Sequence, residues 1–377
     1  MTTTEPARIR AVATLRSWIE DGTLVAGSCL PSERALASQL EVSKPSVHRA
    51  LQVLERDGLI SPAVGRTRTV YGSVGSSLLA QTVVVLSSHK KAKHHASTGF
   101  SDHVAEGAHA AVSDAGWHSM AFHPDRADAS GVRALLAQRP VGVLIPETRE
   151  ASLDIATRLR DAGVPVVVNI DGPAWVGFDR VASDHAAGGA RLVELLAARE
   201  RRRLGTVWNK GAQRGWWHAP RMAGMSAAAA AAGLAPVQLA MVASASPKQD
   251  PWADDTDTAA YLEQYGRNYL GQIIELLSGP EPCDGLMVHT DTDAVAVAMA
   301  CRLFGLEPGR DIDVLGYDYY LPDLPYSADA RGLLQASVDR DTHGQGEALV
   351  AVLQRRLIEG GDPGFIQHVQ PRLITLS

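Results

Sequence analysis

Histidine and lysine crowd one short stretch of this 377-residue chain. Seven of the thirteen histidines fall between His89 and His123, and Lys90, Lys91 and Lys93 join them in the run Ser87-Ser-His-Lys-Lys-Ala-Lys-His-His95. No HExxH signature or matched carboxylate accompanies them, so a metal centre is not expected. With charged histidines the run would suit an anionic ligand, with His89 first in reach; otherwise it is a solvated loop. A second basic point is the turn at Gly65 with Arg66 and Arg68. Trp208, Trp216, Trp217 and Trp252 could each stack on a ring, and the setting WNKGAQRGWWHAPR, a strand-end loop, favours Trp216 or Trp217 over the others as core residues. Catalytic patterns are missing: there is no P-loop, no GxGxxG after a strand and no Ser-His-Asp signature, and only Lys210 and Lys248 occur between positions 94 and 377. The expectation is a binding protein with no cofactor rather than an enzyme.

The elements that must position these groups follow from periodicity. Ile9, Val12, Leu15 and Ile19 have helical spacing that stops at Asp21-Gly22. Ser32 can cap a short helix carrying Leu36 and Leu40, and Ser43 a second one, in which Pro45 is tolerated in the first turn and Val47, Ala50, Leu51 and Leu54 share a face up to Gly58. Two short helices about a tight turn read as helix-turn-helix. Leu59-Ile60 and Thr69-Val70-Tyr71 then flank Gly65 as a hairpin with a cationic tip. The stretch Tyr71–Ser77, rich in Gly and Ser, has little to bury and marks a linker. Beyond it, short β-branched runs (82–86, 141–145, 164–170, 205–208, 285–288, 313–316) alternate with helical stretches near 103–115, 152–162 and 185–198. That rhythm predicts an α/β fold of two lobes, each a doubly wound parallel sheet, behind the N-terminal helical module.

Composition sets the outer bounds. Hydrophobic residues are 45% and charged residues 21%, a globular balance. Three cysteines without a CxxC pair fit a reducing compartment, and neither an apolar leader nor a run of about 18 apolar residues is present, so a cytoplasmic protein with no membrane partner is expected. The net charge is −6, yet residues 1–72 hold nine Lys and Arg against seven Asp and Glu. The mild basic excess lies at the N-terminus.

The run AGSCLPSERALASQLEVSKPSVHRALQVLERDGLI, residues 26–60, resembles the GntR-family winged helix. The resemblance implies that the helix from Ser43 enters the DNA major groove while the hairpin around Gly65 reaches the minor groove. It places Arg34, Ser43, Lys44, Ser46, His48 and Arg49, with Gly65, Arg66 and Arg68, at the DNA surface. Lys44 stands where the family usually has Arg, and His48 where it often has another; a lysine lacks the fork that reads guanine, so the operator preference is expected to differ. Glu33 reads instead as a first-turn helix carboxylate.

Residues 81–377 resemble the LacI/GalR-type regulator core, which shares its fold with periplasmic sugar-binding proteins. The carriers are VGVLIPE (141–147), VPVVVNIDGP (164–173), VASDHAAGG (181–189), RMAGMSAAAAAAG (221–233), DGLMVHTDTDAVAVAMACRLFG (284–305), DIDVLGYDYY (311–320) and QPRLITLS (370–377). A GntR head on such a body is the architecture of arabinose-responsive repressors. The resemblance implies three regions: a DNA-binding domain over 1–72, a linker over 73–80 and a two-lobed effector-binding and dimerisation domain over 81–377. It also implies a homodimer on double-stranded operator DNA and a carbohydrate effector in the interlobe cleft. By family position Arg221, Asp291 and Asp318 hold the effector. Thr290 can bond a hydroxyl although His289-Thr290 replaces the usual Ala/Ser-Asn, and Asp171 or Asn169 ends the third strand at the same cleft. Asp291 can equally cap the helix that follows, and Asp184 reads as a cap. Two other readings stay open: a GntR head on an enzyme-like body, and the same regulator with a purine or other non-sugar effector.

Overall fold

The computed structural model describes residues 7–21, 23–24, 28–56, 59–60, 68, 70, 81–86, 99–123, 131–132, 135–136, 140–147, 150–211 and 215–376. The first three helices are α1 (Ala7–Glu20), α2 (Glu33–Gln39) and α3 (Lys44–Arg56). Their apolar positions converge: Leu15, Leu36, Val47, Leu51 and Leu54 are buried in one cluster with Ile60 and Val70. Ser32 caps α2, its hydroxyl accepting from Ala35 N at 3.2 Å, and the Ser43 carbonyl opens α3 by accepting from the Ser46 and Val47 amides. An antiparallel bridge between Ile60 and Val70 closes the base of the expected hairpin. Gly65 and Arg66, the linker 73–80 and His89 lie outside the described residues.

The rest of the chain builds two six-stranded sheets. The first contains β1 (Thr82–Leu86), β2 (His118–Phe122), β3 (Gly142–Ile145), β4 (Val166–Asn169), β5 (Asp179–Ser183) and β11 (Ile366–Val369), ordered β11-β5-β4-β3-β1-β2. The second contains β6 (Leu204–Asn209), β7 (Gln238–Val242), β8 (Gly285–Val288), β9 (Asp313–Tyr317), β10 (Ala336–Asp339) and β12 (Arg372–Thr375), ordered β12-β10-β9-β8-β6-β7. Every pairing is parallel except β10 with β12. Helices α4 (Gly99–Asp114), α5 (Glu150–Asp161) and α10 (Thr342–Glu359) cover the first sheet, and α6 (His185–Ala198), α7 (His218–Ala231), α8 (Thr258–Ser278) and α9 (Asp291–Phe304) the second. Covered on both faces, β1, β3, β4, β8 and β9 are buried along their whole length, which is why they read as unbroken apolar runs.

Three chain passages join the lobes: β5 into α6 at Asp184, β10 into α10 at Arg340-Asp341, and β11 into β12 at Gln370-Pro371. They lie side by side. Asp184 caps α6 by accepting from Ala187 N at 2.9 Å, donates its own amide to Val369 O, and accepts from Gln370 Nε2 at 3.1 Å. On the second lobe α6 and α7 cross so closely that a Cβ on Gly224 would collide with the Ala186 carbonyl, and one on Gly189 with the Arg221 carbonyl. No described helix is long and apolar enough to cross a membrane.

Candidate functional site

In open α/β sheets the strand ends next to crossovers form the ligand crevice. Here the two sheets face each other across a cavity of about 260 Å³. The first lobe contributes Pro146 and Glu147 after β3, Asn169 at the end of β4, Ser183 at the end of β5 and Gln345 of α10. The second contributes His185, Trp216, Trp217, Arg221, His289, Thr290 and Asp318, and Arg340 stands at the middle passage. Arg221, Asp318, Thr290, Asn169, Trp216 and Trp217 are therefore gathered on one wall or the other, as the sequence suggested they could be.

Arg221 is the deepest of them, 2% exposed. Its guanidinium lies 3.3 Å from the Tyr317 ring centre and 4.9 Å from that of Trp217, donates to the His289 carbonyl at 2.8 Å and reaches His185 Nδ1 at 3.4 Å. Burial lowers its pKa, but a guanidinium stays protonated across the accessible pH range. His185 is forced neutral: burial first, then Arg221 and Arg340, push it well below the ordinary imidazole range. Since Arg221 can only donate, Nδ1 of His185 accepts and Nε2 carries the proton.

Asp318 and Arg340 form an ion pair at the cavity, Oδ1 to Nε 2.8 Å, with both side chains largely buried. The backbone carrying Asp318 is strained, with φ +90° there and +57° at Tyr319. Behind it lies the carboxylate expected to touch an effector. Asp291 is fully buried and does not line the cavity. Its Oδ1 accepts from Ser337 Oγ at 2.6 Å and its Oδ2 from Leu321 N at 3.1 Å, while Tyr319 N donates to Ser337 Oγ at 3.2 Å. Asp291 thus braces the loop that aims Asp318. Burial raises its pKa to about 7, with the nearby Asp318 charge adding to the shift and the Ser337 hydrogen bond opposing it. Nor is it the helix cap: Thr290 caps α9, accepting from Asp293 N at 3.3 Å.

Other expectations are corrected by packing. Asp171 does not line the cavity; it pairs with Arg180 at 2.7 Å and approaches His368 at 3.4 Å. The sequence reading missed His185, His289, Glu147, Ser183, Arg340 and Gln345. His289 sits where the family motif has a small residue, and it is held from behind. Its Nε2 lies 3.2 Å from Asp293, whose other oxygen accepts from the Tyr265 and Tyr269 hydroxyls at 2.9 and 2.7 Å. Nδ1 of His289, Nε of Arg221 and the Ser183 hydroxyl are buried without a hydrogen-bond partner.

On the N-terminal module, Arg34, Ser43, Lys44, His48 and Arg49 are exposed and Ser46 half-buried. They form the polar face of α3 and the start of α2. Ser43 and Ser46 share a hydroxyl hydrogen bond at 2.9 Å. Arg68 departs from its expected role at the hairpin tip. Its side chain, 12% exposed, pairs with Glu55 at 2.5 Å and Glu33 at 3.0 Å and locks the hairpin base to both helices. Glu33 also bonds His48 Nδ1 at 2.9 Å, which with Arg68 holds its pKa below the usual carboxylate range. Among the described residues no cluster of His, Cys, Asp and Glu could hold a metal.

Residues 8–70 match the family model of bacterial regulatory proteins of the gntR family, and residues 193–375 that of the periplasmic binding protein-like domain. The fold recurs in solved structures. A complex of the transcriptional regulator CelR with cellobiose has a TM-score of 0.54 at 18% identity, covering 92% of this chain and 100% of its own. A LacI-family regulatory protein from Chloroflexus aggregans has 0.57 at 20% identity, over 79% and 99%. A LacI-family regulator from Enterococcus faecium with bound ribose has 0.52 at 14% identity, over 78% and 98%.

Proposed function

This chain joins a GntR-type helix-turn-helix head to a periplasmic-binding-protein-like body with the fold of LacI-family regulators, and from that premise we propose that it is a ligand-responsive repressor of carbohydrate-utilisation genes. Residues 1–72 bind operator DNA, 73–80 link, and 81–377 bind the effector and pair two copies as a homodimer. The observation that supports a carbohydrate best is the cavity lining. Ser183 Oγ, Arg221 Nε and His289 Nδ1 are a mixture of donors and acceptors, buried on both lobes and unpaired within the protein. Buried polar groups require partners, and a ring bearing several hydroxyls supplies both kinds at once. Trp216 and Trp217 line the same cavity and add apolar ring surface of the kind on which the C–H face of a sugar packs. Two of the neighbours in fold were solved with sugars, cellobiose and ribose.

The effector acts through lobe closure. It can bias DNA binding only by the difference in its affinity for the open and closed body. A thermal-shift screen of the full chain against pentoses, hexoses, disaccharides, sugar acids and purines tests the reading, because a ligand of the native state raises stability by RT ln(1 + [L]/Kd). Stabilisation by a sugar or sugar derivative that also changes operator affinity is expected. Stabilisation by a purine alone would replace the carbohydrate.

A further inference from the structure

We propose that the ligand of this cleft is a carbohydrate carrying one oxyanion, a carboxylate or a phosphate, seated on Arg221. The inference deepens the carbohydrate reading above and rests on it.

The second-lobe wall holds one charge too many. Arg340 and Asp318 neutralise each other across 2.8 Å. Arg221 has no such partner: the groups its guanidinium touches are the His289 carbonyl, the neutral His185 ring and the faces of Tyr317, Trp217 and Trp208. Among the described residues, the ionised groups that act on it most are Asp318 and Arg340, opposite in sign and already paired. Aromatic faces stabilise a cation without cancelling its charge. A buried cation with no counter-ion is costly, and arginine cannot relieve the cost by losing its proton.

The orphan Nε shows the same deficit at the level of one atom: a donor that is buried, lacks an acceptor and belongs to a residue on the cavity wall. A guanidinium N–H that still lacks an acceptor is well matched to an oxygen of a carboxylate or phosphate. His185 fits this picture: burial first, and then the charges of Arg221 and Arg340, hold it neutral, and that same positive field favours an incoming anion. The first-lobe wall is different in kind. Asn169, Ser183 and Gln345 are neutral there and Glu147 is acidic, a set suited to hydroxyl groups. The ligand is thus oriented, with its acidic end toward α7 and its hydroxyls toward β4 and β5.

Titration calorimetry of the full-length protein tests this with matched pairs: D-galacturonate against D-galactose, D-glucuronate and D-gluconate against D-glucose, and D-glucose 6-phosphate against D-glucose. At least one acid is expected to bind about tenfold or more tighter than its neutral partner, and the carboxylate and phosphate arms tell the two oxyanions apart. Raising salt is expected to weaken that acid and leave neutral sugars unaffected. Arg221→Gln keeps a polar side chain without charge and is expected to reduce the acid to the affinity of its neutral partner. If neutral sugars bind and acids bind no better, the oxyanion is wrong while the carbohydrate reading stands. If purines bind and no sugar of either kind does, both fall. The wild-type comparison needs no variant, so a poorly folding Arg221→Gln protein does not obscure the outcome.

Discussion

Burial separates two kinds of basic residue in the head. Arg34, Lys44 and Arg49 are exposed, as the proposed phosphate contacts require. Arg34→Ala and Lys44→Ala are each expected to weaken operator binding and flatten the log–log salt dependence by about 0.9, with thermal stability unchanged, as fluorescence anisotropy at several salt concentrations would show. Arg68→Ala is expected to cost about 1–3 kcal/mol of stability through Glu33 and Glu55, left without their partner, measured by urea denaturation. No spacing rule separates the two kinds of arginine, because the carboxylates that capture Arg68 are 35 and 13 positions away. Asp291 was hidden for the same reason. The motif places a carboxylate at the strand end, but the partners that turn it inward, Ser337 and Leu321, come from later segments. Its titration carries a testable sign. Folding raises the carboxyl from 3.8 to about 7, so the native state binds the extra proton between those values and stability falls as pH rises through them. Relative to wild type, Asp291→Asn is expected to lose stability less steeply over pH 4–7 in thermal unfolding followed by circular dichroism.

Helices and buried strands were legible where one physical cause dominated. The amphipathic face of α3 and the apolar runs of β1, β3 and β8 each announce their element. The edge strands β2 (HSMAF) and β7 (QLAMV) did not stand out, since only one edge pairs and several of their side chains face solvent. The α6–α7 crossing was equally silent. Glycines inside helices read as weak points until the partner that approaches them is known. Gly224 is such a point: it lets the helix bearing Arg221 lie against the helix bearing His185. Gly224→Ala is expected to destabilise the body by about 1–3 kcal/mol from the forced shift alone. It should also weaken effector binding while leaving DNA affinity of the apo protein near wild type, a split that calorimetry and anisotropy on the same preparation would show.

Across the whole molecule, the order of elements and the two-sheet layout were readable from the strand–helix rhythm, whereas the polar set at the cleft was not, because it comes from the ends of six strands and from helices α6, α7 and α10, which only the fold collects. A single head offers few base contacts, so two-fold operators call for two copies. Sedimentation at micromolar protein is expected to give a dimer; a monomer with and without DNA would remove that part of the proposal. The free 1–72 fragment is expected to bind operator weakly and without response to effector. The three passages between the lobes also have a consequence for time. His185 follows the first passage immediately, Arg340 belongs to the second, and Gln345 of the cavity wall donates to the Arg340 carbonyl at 2.7 Å and accepts from Asn169 at 3.0 Å. On the proposed reading, the residues that hold the ligand also stand beside the passages between the lobes, so parting the lobes is expected to break that hold. Opening and release are then expected to share one rate, so that effector dissociation followed by stopped flow and the loss of its effect on operator affinity run on the same time course.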